Sequence, residues 1–170
     1  MGEIKSTLDI IMEKTKGLTL TEEEKKALRK KEVEGKVKGL LLKIIDELMD
    51  LENLKIAITA MEEKDPGMAR EALIKDCLIR IDPESDNRLI FEILEHVARA
   101  DTASFQKPLS KFHRELDQEK RIREQRLGKK IVEKGISGSA VLPNIRADQE
   151  WIHYVQYAKE KFQEEMRALI

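Results

Sequence analysis

Four sets of residues in this 170-residue chain have types and spacings that bear on chemistry. The first is Glu150-Trp151-Ile152-His153. Its Glu-x-x-His spacing puts a carboxylate and an imidazole on one helix face, as in di-iron helical bundles. Such a centre needs a second Glu-x-x-His and two further carboxylates. Neither His96 nor His113 has a Glu three residues before it. In a chain this rich in Glu, one match arises readily by chance, so no metal and no cofactor is expected. The second is Cys77, between Ile74 and Leu78 in an apolar helical segment. A thiol so placed is a small buried hydrophobe, not a nucleophile. The chain has no Gly-x-Ser-x-Gly elbow and no Walker A pattern. No catalytic residue is assigned, and the reading leans away from an enzyme.

The third set is the segment from Gly135 to Arg146. Gly135, Ser137, Gly138, Ser139 and Ala140 are small enough for backbone amides to approach an anion. Asn144 and Arg146 follow, Lys134 precedes, and a helix start comes soon after, which favours negative charge. No phosphate-binding fingerprint fits the spacing. The plainer reading is a connector that docks Ile136, Val141 and Leu142 onto the core while reversing the chain.

The fourth set is the sharpest. From Lys120 to Lys130 the chain reads Lys-Arg-Ile-Arg-Glu-Gln-Arg-Leu-Gly-Lys-Lys, six basic residues against one acidic. At about 100° per residue, Phe105, Leu109, Phe112 and Leu116 share one helix face. That face continues through Lys120 and Arg123 to Leu127 and Ile131. Long cations thus interrupt an apolar stripe for two turns, which continuous burial disfavours. Between about 117 and 130 the helix either projects from the core or meets acidic groups. Those would come from residues 46–101 or from a second copy of the chain. Lys120, Arg123, Arg126, Lys130 and Lys134 form the candidate interaction surface. On a nucleic acid the last four would follow the phosphates, and charge reversal at Arg123 and Lys130 would then weaken binding without unfolding. The stretch carries no aromatic residue to stack on bases.

The elements that must position these residues are all helical. Ile4, Leu8, Ile11 and Met12 predict a short helix over Ile4 to Lys16, with Gly17 as its stop. Thr21 and Glu24 make a capping box that opens a longer helix. Apolar residues then recur at 3–4 spacing from Val37 to Met61, with Leu40, Leu42, Ile45 and Met49 adding a second apolar face. A helix apolar on two faces must be covered from two sides. Gly35 and Gly39 mark a bend or a close helix crossing. Asp65 and Pro66 predict an N-cap and first helical residue. Asp82-Pro83 stops that helix and starts the next, the two packing as an antiparallel pair. Gly135 ends the basic helix, and a last helix starts near Asp148 with Trp151, Val155, Ala158, Phe162 and Leu169 on one face.

The expected fold is all-α. It is an irregular helical bundle in one domain over 1–170, with two longer helices (about 21–62 and 104–134), short helices between them and an amphipathic C-terminal helix.

Apolar residues make up 41% of the chain, enough to bury a core. No apolar run reaches the roughly 18 residues of a membrane span, so no membrane partner is expected. The start, Met1-Gly2-Glu3-Ile4-Lys5, lacks a secretion-signal pattern, and the single cysteine cannot form an intrachain disulfide. The expected compartment is the cytoplasm. Residues 46–101 hold 7 basic and 15 acidic residues, whereas 102–134 hold 10 basic and 5 acidic. The leading functional expectation is a non-catalytic helical protein working through protein contact or self-association, as adaptor, assembly factor or regulator. The alternative is a nucleic-acid-associated protein using residues 120–134. A more distant one is a ligand-binding protein using loop 135–146.

Overall fold

A computed structural model describes residues 21–136, 138 and 141–169. The expected helix over Ile4 to Lys16 lies outside the described residues. Among those described the fold is all-helical, an irregular bundle without strands, as expected.

Helix α1 (Glu22–Ile45) opens on the predicted capping box. The Glu24 amide donates to Thr21 Oγ1 at 3.2 Å, and the Thr21 amide donates back to Glu24 Oε2 at 2.8 Å. Val33, Val37, Leu41 and Ile44 form its buried stripe. The helix then ends, and this corrects the continuous helix expected over 21–62. The Glu47 amide bonds to the Ile44 carbonyl and the Leu48 amide to the Lys43 carbonyl, with Glu47 at φ 58°. This is a Schellman stop with Glu in the left-handed position that usually takes Gly. Asp50 then caps helix α2 (Leu51–Glu62) by accepting from the Asn53 amide at 2.7 Å. Leu48, which keeps the apolar rhythm in sequence, sits in the turn and is 76% exposed. Gly35 and Gly39 lie within α1, with nothing within 4 Å of where a Cβ would be. They mark neither a break nor a close crossing.

Helix α3 (Met68–Arg80) starts two residues later than Pro66, with Gly67 at its N-cap and φ 85°. The capping carboxylate comes from the preceding helix. Glu62 accepts from the Gly67 and Arg70 amides, both at 2.8 Å. Asp65, the expected cap, pairs instead with Arg29 at 3.3 Å. The next helix, α4 (Arg88–Glu92), begins five residues after Pro83. The intervening turn closes on buried Asn87, whose side-chain amide donates to the Asp82 and Ser85 carbonyls. Helix α4 runs on as a π-helical turn, Ile93–Val97.

Helix α5 (Ala103–Glu133) carries Pro108 in its sixth position. The Ser104 carbonyl therefore has no helical donor four residues on. Helix α5 ends at Gly135 as predicted. Gly135 has φ 76°, its amide bonds to the Val132 carbonyl, and the Ile136 amide bonds to Ile131. After a short 3₁₀ turn, Ile145–Ala147, helix α6 (Gln149–Arg167) starts on the N-cap Asp148.

The most deeply buried side chains are Val37, Leu41, Leu54, Ile58, Leu73, Cys77, Leu78, Ile93 and Leu94, from α1, α2, α3 and the π turn. Helix α6 runs antiparallel to α5, as its ion pairs fix: Lys111 with Glu165 and Glu115 with Lys161. Its Phe162 and Met166 reach the core, where Phe162 packs edge-on against Phe112 at 5.8 Å.

Candidate functional site

The interrupted stripe on α5 resolves at Arg123. Its side chain is only 12% exposed and binds three carboxylates. Nε donates to Glu119 at 2.7 Å, and Nη1 donates to Asp148 at 3.3 Å and Glu150 at 3.1 Å. The guanidinium also lies 5.9 Å from the centre of the Tyr154 ring. Burial works against the Arg123 charge, but the bonds to Glu119, Asp148 and Glu150 and the field of Glu119 outweigh it, so its pKa rises. Burial and the Glu119 and Glu115 carboxylates hold the Tyr154 hydroxyl above its ordinary pKa. The acidic partners thus come from the start of α6 and from α5 itself, not from residues 46–101. Arg126 is turned the same way, 3.5 Å from Glu150.

The candidate surface is therefore divided. Arg123 and Arg126 fasten α5 to the start of α6. Lys120, Lys130 and Lys134 are exposed and make no ion pair among the described residues. Reversing the charge at Arg123 would strike a structural ion cluster, so only the three lysines can test phosphate contact cleanly.

The loop candidate is narrowed too. Ser137, Ser139 and Ala140 lie outside the described residues. Gly135 closes α5, and Gly138 accepts from the Val141 amide. Asn144 and Arg146 are exposed. The helix start that would favour an anion already holds the chain's own carboxylates, since Asp148 accepts from the Glu150 amide. Ile136, Val141 and Leu142, expected to dock, are exposed. The segment is anchored instead by Ile145, which is buried, and by Pro143, which lies beside Gly128.

Of the histidines, His113 Nε2 donates to the Pro83 carbonyl at 2.7 Å, while His96 and His153 are exposed. Among the described residues no cluster of His, Cys, Asp or Glu is placed to hold a metal ion, and no helix is long and apolar enough to cross a membrane. Cys77 is fully buried, and burial, helped by the Asp76 carboxylate and opposed by Arg80, pushes its thiol pKa up to about 12. Against the ordinary value of 9.0 this cuts the thiolate fraction about a thousandfold. At pH 8 the folded chain is expected to react with a thiol reagent slower by about that factor than the chain in denaturant. Equal rates would show that the thiol is accessible in the native state.

A further site was not identified from the sequence as such. Helices α1 and α3 run side by side in the same direction, Arg29 meeting Asp65 at one end and Lys38 and Asp76 lining the same hollow further along. Between them lies a groove of about 310 Å³ whose uncharged lining is Gly35, Ala72 and Ile79. Lys31, Lys38 and Lys75 rim it, with Glu34 and Asp76. A second hollow adjoins it through Glu34, Ala72 and Lys75, reaching Met68, Ile74 and Leu169. No family model, curated protein or solved structure matches this chain.

Beyond Lys38, the side of α1 that lines the groove carries two residues of the second apolar face, Leu42 and Ile45. Gly35, Lys38, Leu42 and Ile45 fall within roughly 80° of one another around the helix. Leu40 and Met49 pack at the core's edge, but Leu42 is 41% exposed and Ile45 38%. The expectation that both faces are covered fails among the described residues: α2 and α3 cover one and leave the other open. Across the groove, Ile79 of α3 is 63% exposed. The signal in the sequence was the double apolar pattern of α1. Which face stays open is set by how α3 docks.

Proposed function

We propose that this chain is a non-catalytic helical protein that works by contact, taking an amphipathic helix into the groove between α1 and α3. The role is that of an intracellular adaptor, assembly factor or regulator. The observation that carries the reading is the exposed apolar side chains near this groove: Ile79 lines it, and Leu42 and Ile45 follow Lys38 on the same side of α1. A helix laid there would bury these side chains against its own apolar face, with the lysine rim available to its acidic residues. Nucleic-acid contact through residues 120–134 has less support, because Arg123 and Arg126 already hold carboxylates of this chain.

The test compares proteins recovered from a cell extract by the full chain and by its Ile79→Asp and Leu42→Asp variants, with Lys130→Glu as a control. Both apolar sites are exposed, so the helical content of each variant should equal that of the wild type. We expect at least one protein to be recovered by the wild type and Lys130→Glu, and about tenfold less by either groove variant, which corresponds to about 1.4 kcal/mol. An identical set from all four baits would sink the groove reading.

A further inference from the structure

The groove between α1 and α3 is short, and its charge is unbalanced. Lys31 and Lys38 lie seven residues apart on α1, within about 20° of one another around the helix. Ala72 and Ile79 have the same spacing on α3. Seven residues rise roughly 10 Å, so two turns of helix span the groove. Nothing lies within 4 Å of where a Cβ would be on Gly35. Of the two lining carboxylates, Asp76 is held by Arg80 at 3.2 Å. Lys31, Lys38 and Lys75 are exposed and, like Glu34, make no ion pair among the described residues. Three cations therefore stand against one uncommitted carboxylate, in a chain whose formal net charge is −1. The adjoining hollow adds Lys30 and Glu71, one of each sign, which leaves that excess in place.

We propose that the partner of this groove is an acidic amphipathic helix of another protein, whose apolar stripe is flanked by carboxylates on both sides. This rests on the reading of the groove as a helix-receiving site. The stripe lies on Ala72 and Ile79, and Gly35 lets the backbone of the incoming helix come close. Both flanks are acidic because the cations stand on both walls, Lys31 and Lys38 on α1 and Lys75 on α3. Each ammonium sits on a long, exposed stem and can follow a carboxylate at the groove's edge. A basic helix meets the same three ammonium groups and is repelled, so the rim selects partners by sign.

Binding of fluorescent peptides to the full chain tests this. Two helical peptides of about 15 residues share one leucine stripe. The first flanks the stripe with Glu on both sides, and the second has Gln in the same places. At about 50 mM salt the wild type should bind the Glu peptide about tenfold more tightly than the Gln peptide, as a few exposed ion pairs together supply. At about 500 mM salt the difference should shrink to about twofold. The variant Lys38→Glu, Lys75→Glu should lose the preference, and Lys130→Glu, on α5, should keep it. All three lysines are exposed, so the helical content of each variant should equal that of the wild type.

Equal binding of the two peptides by the wild type, lost in Ile79→Asp, would overturn the acidic partner and leave a groove that accepts helices. A preference for the Glu peptide that persists in Lys38→Glu, Lys75→Glu would place the acid-binding surface elsewhere and overturn the proposal too. A single-stranded oligonucleotide bound more tightly than the Glu peptide, and released in the same double variant, would assign the groove to nucleic acid instead. Binding of neither peptide at about 1 mM would overturn the acidic partner and remove support from the helix-receiving reading as well.

Discussion

Replacing Phe162 with Ala should lower the unfolding free energy by about 3–5 kcal/mol. Phe162 is 3% exposed and sits where three helices meet. It packs edge-on against Phe112 of α5, and it lines a hollow with Leu78 and Ile81 at the end of α3 and Met166 one turn along α6. Truncation removes a large aromatic transfer term and an aromatic pair, and leaves a cavity that three helices cannot all collapse into. Two of the fastenings of α6 are ion pairs with partly exposed members, Lys111–Glu165 and Lys161–Glu115. Each is worth little alone, so the core contact must carry most of the docking. Urea denaturation followed by far-UV circular dichroism checks the value. A loss below about 1 kcal/mol would mean that α6 is held elsewhere.

Arg123→Met should cost roughly 2 kcal/mol. The substitution keeps much of the apolar stem and removes the charge, leaving Glu119 and Asp148 facing each other without a cation. Glu119 and Asp148 are about one-quarter and one-fifth exposed, and Glu150 is largely exposed. Water takes up part of the loss, which keeps the cost below that of a fully buried pair. Arg123→Lys should recover only part of it, because one ammonium cannot reproduce the planar fork that reaches three carboxylates and lies near the Tyr154 ring. Lys130→Met, four residues from Arg126 on an exposed turn, should stay within about 0.5 kcal/mol of the wild type. Equal losses at positions 123 and 130 in the same urea series would show that the cluster is not structural. The same comparison separates the two roles merged in the candidate surface, since of its five cations Lys120, Lys130 and Lys134 make no ion pair among the described residues.

The sequence by itself determined the features that depend on neighbours in the chain. The capping box at Thr21 and Glu24, the stop at Gly135, the helix start near Asp148 and the all-helical class are local. Each is a contact between residues a few positions apart, or a periodicity within one helix. The tertiary structure decided what depends on partners distant in sequence. The break at 46–50 shows the difference most directly. Neither Gly nor Pro marks it, and the apolar rhythm through Ile44, Leu48 and Leu51 runs across it. Glu47 takes the left-handed conformation, at a cost of about 1–2 kcal/mol, in a turn that lets α2 bury Leu54 and Ile58 against the core. The cap on α3 is Glu62 rather than Asp65 because the turn brings the end of α2 over the Gly67 and Arg70 amides. The cations of α5 carried no label for their partners. Asp148 and Glu150 reach Arg123 only because α6 folds back antiparallel along α5. The open face of α1 follows the same rule. Two apolar faces are written in its sequence, but helix packing over long range selects which one becomes core and which one stays open among the described residues.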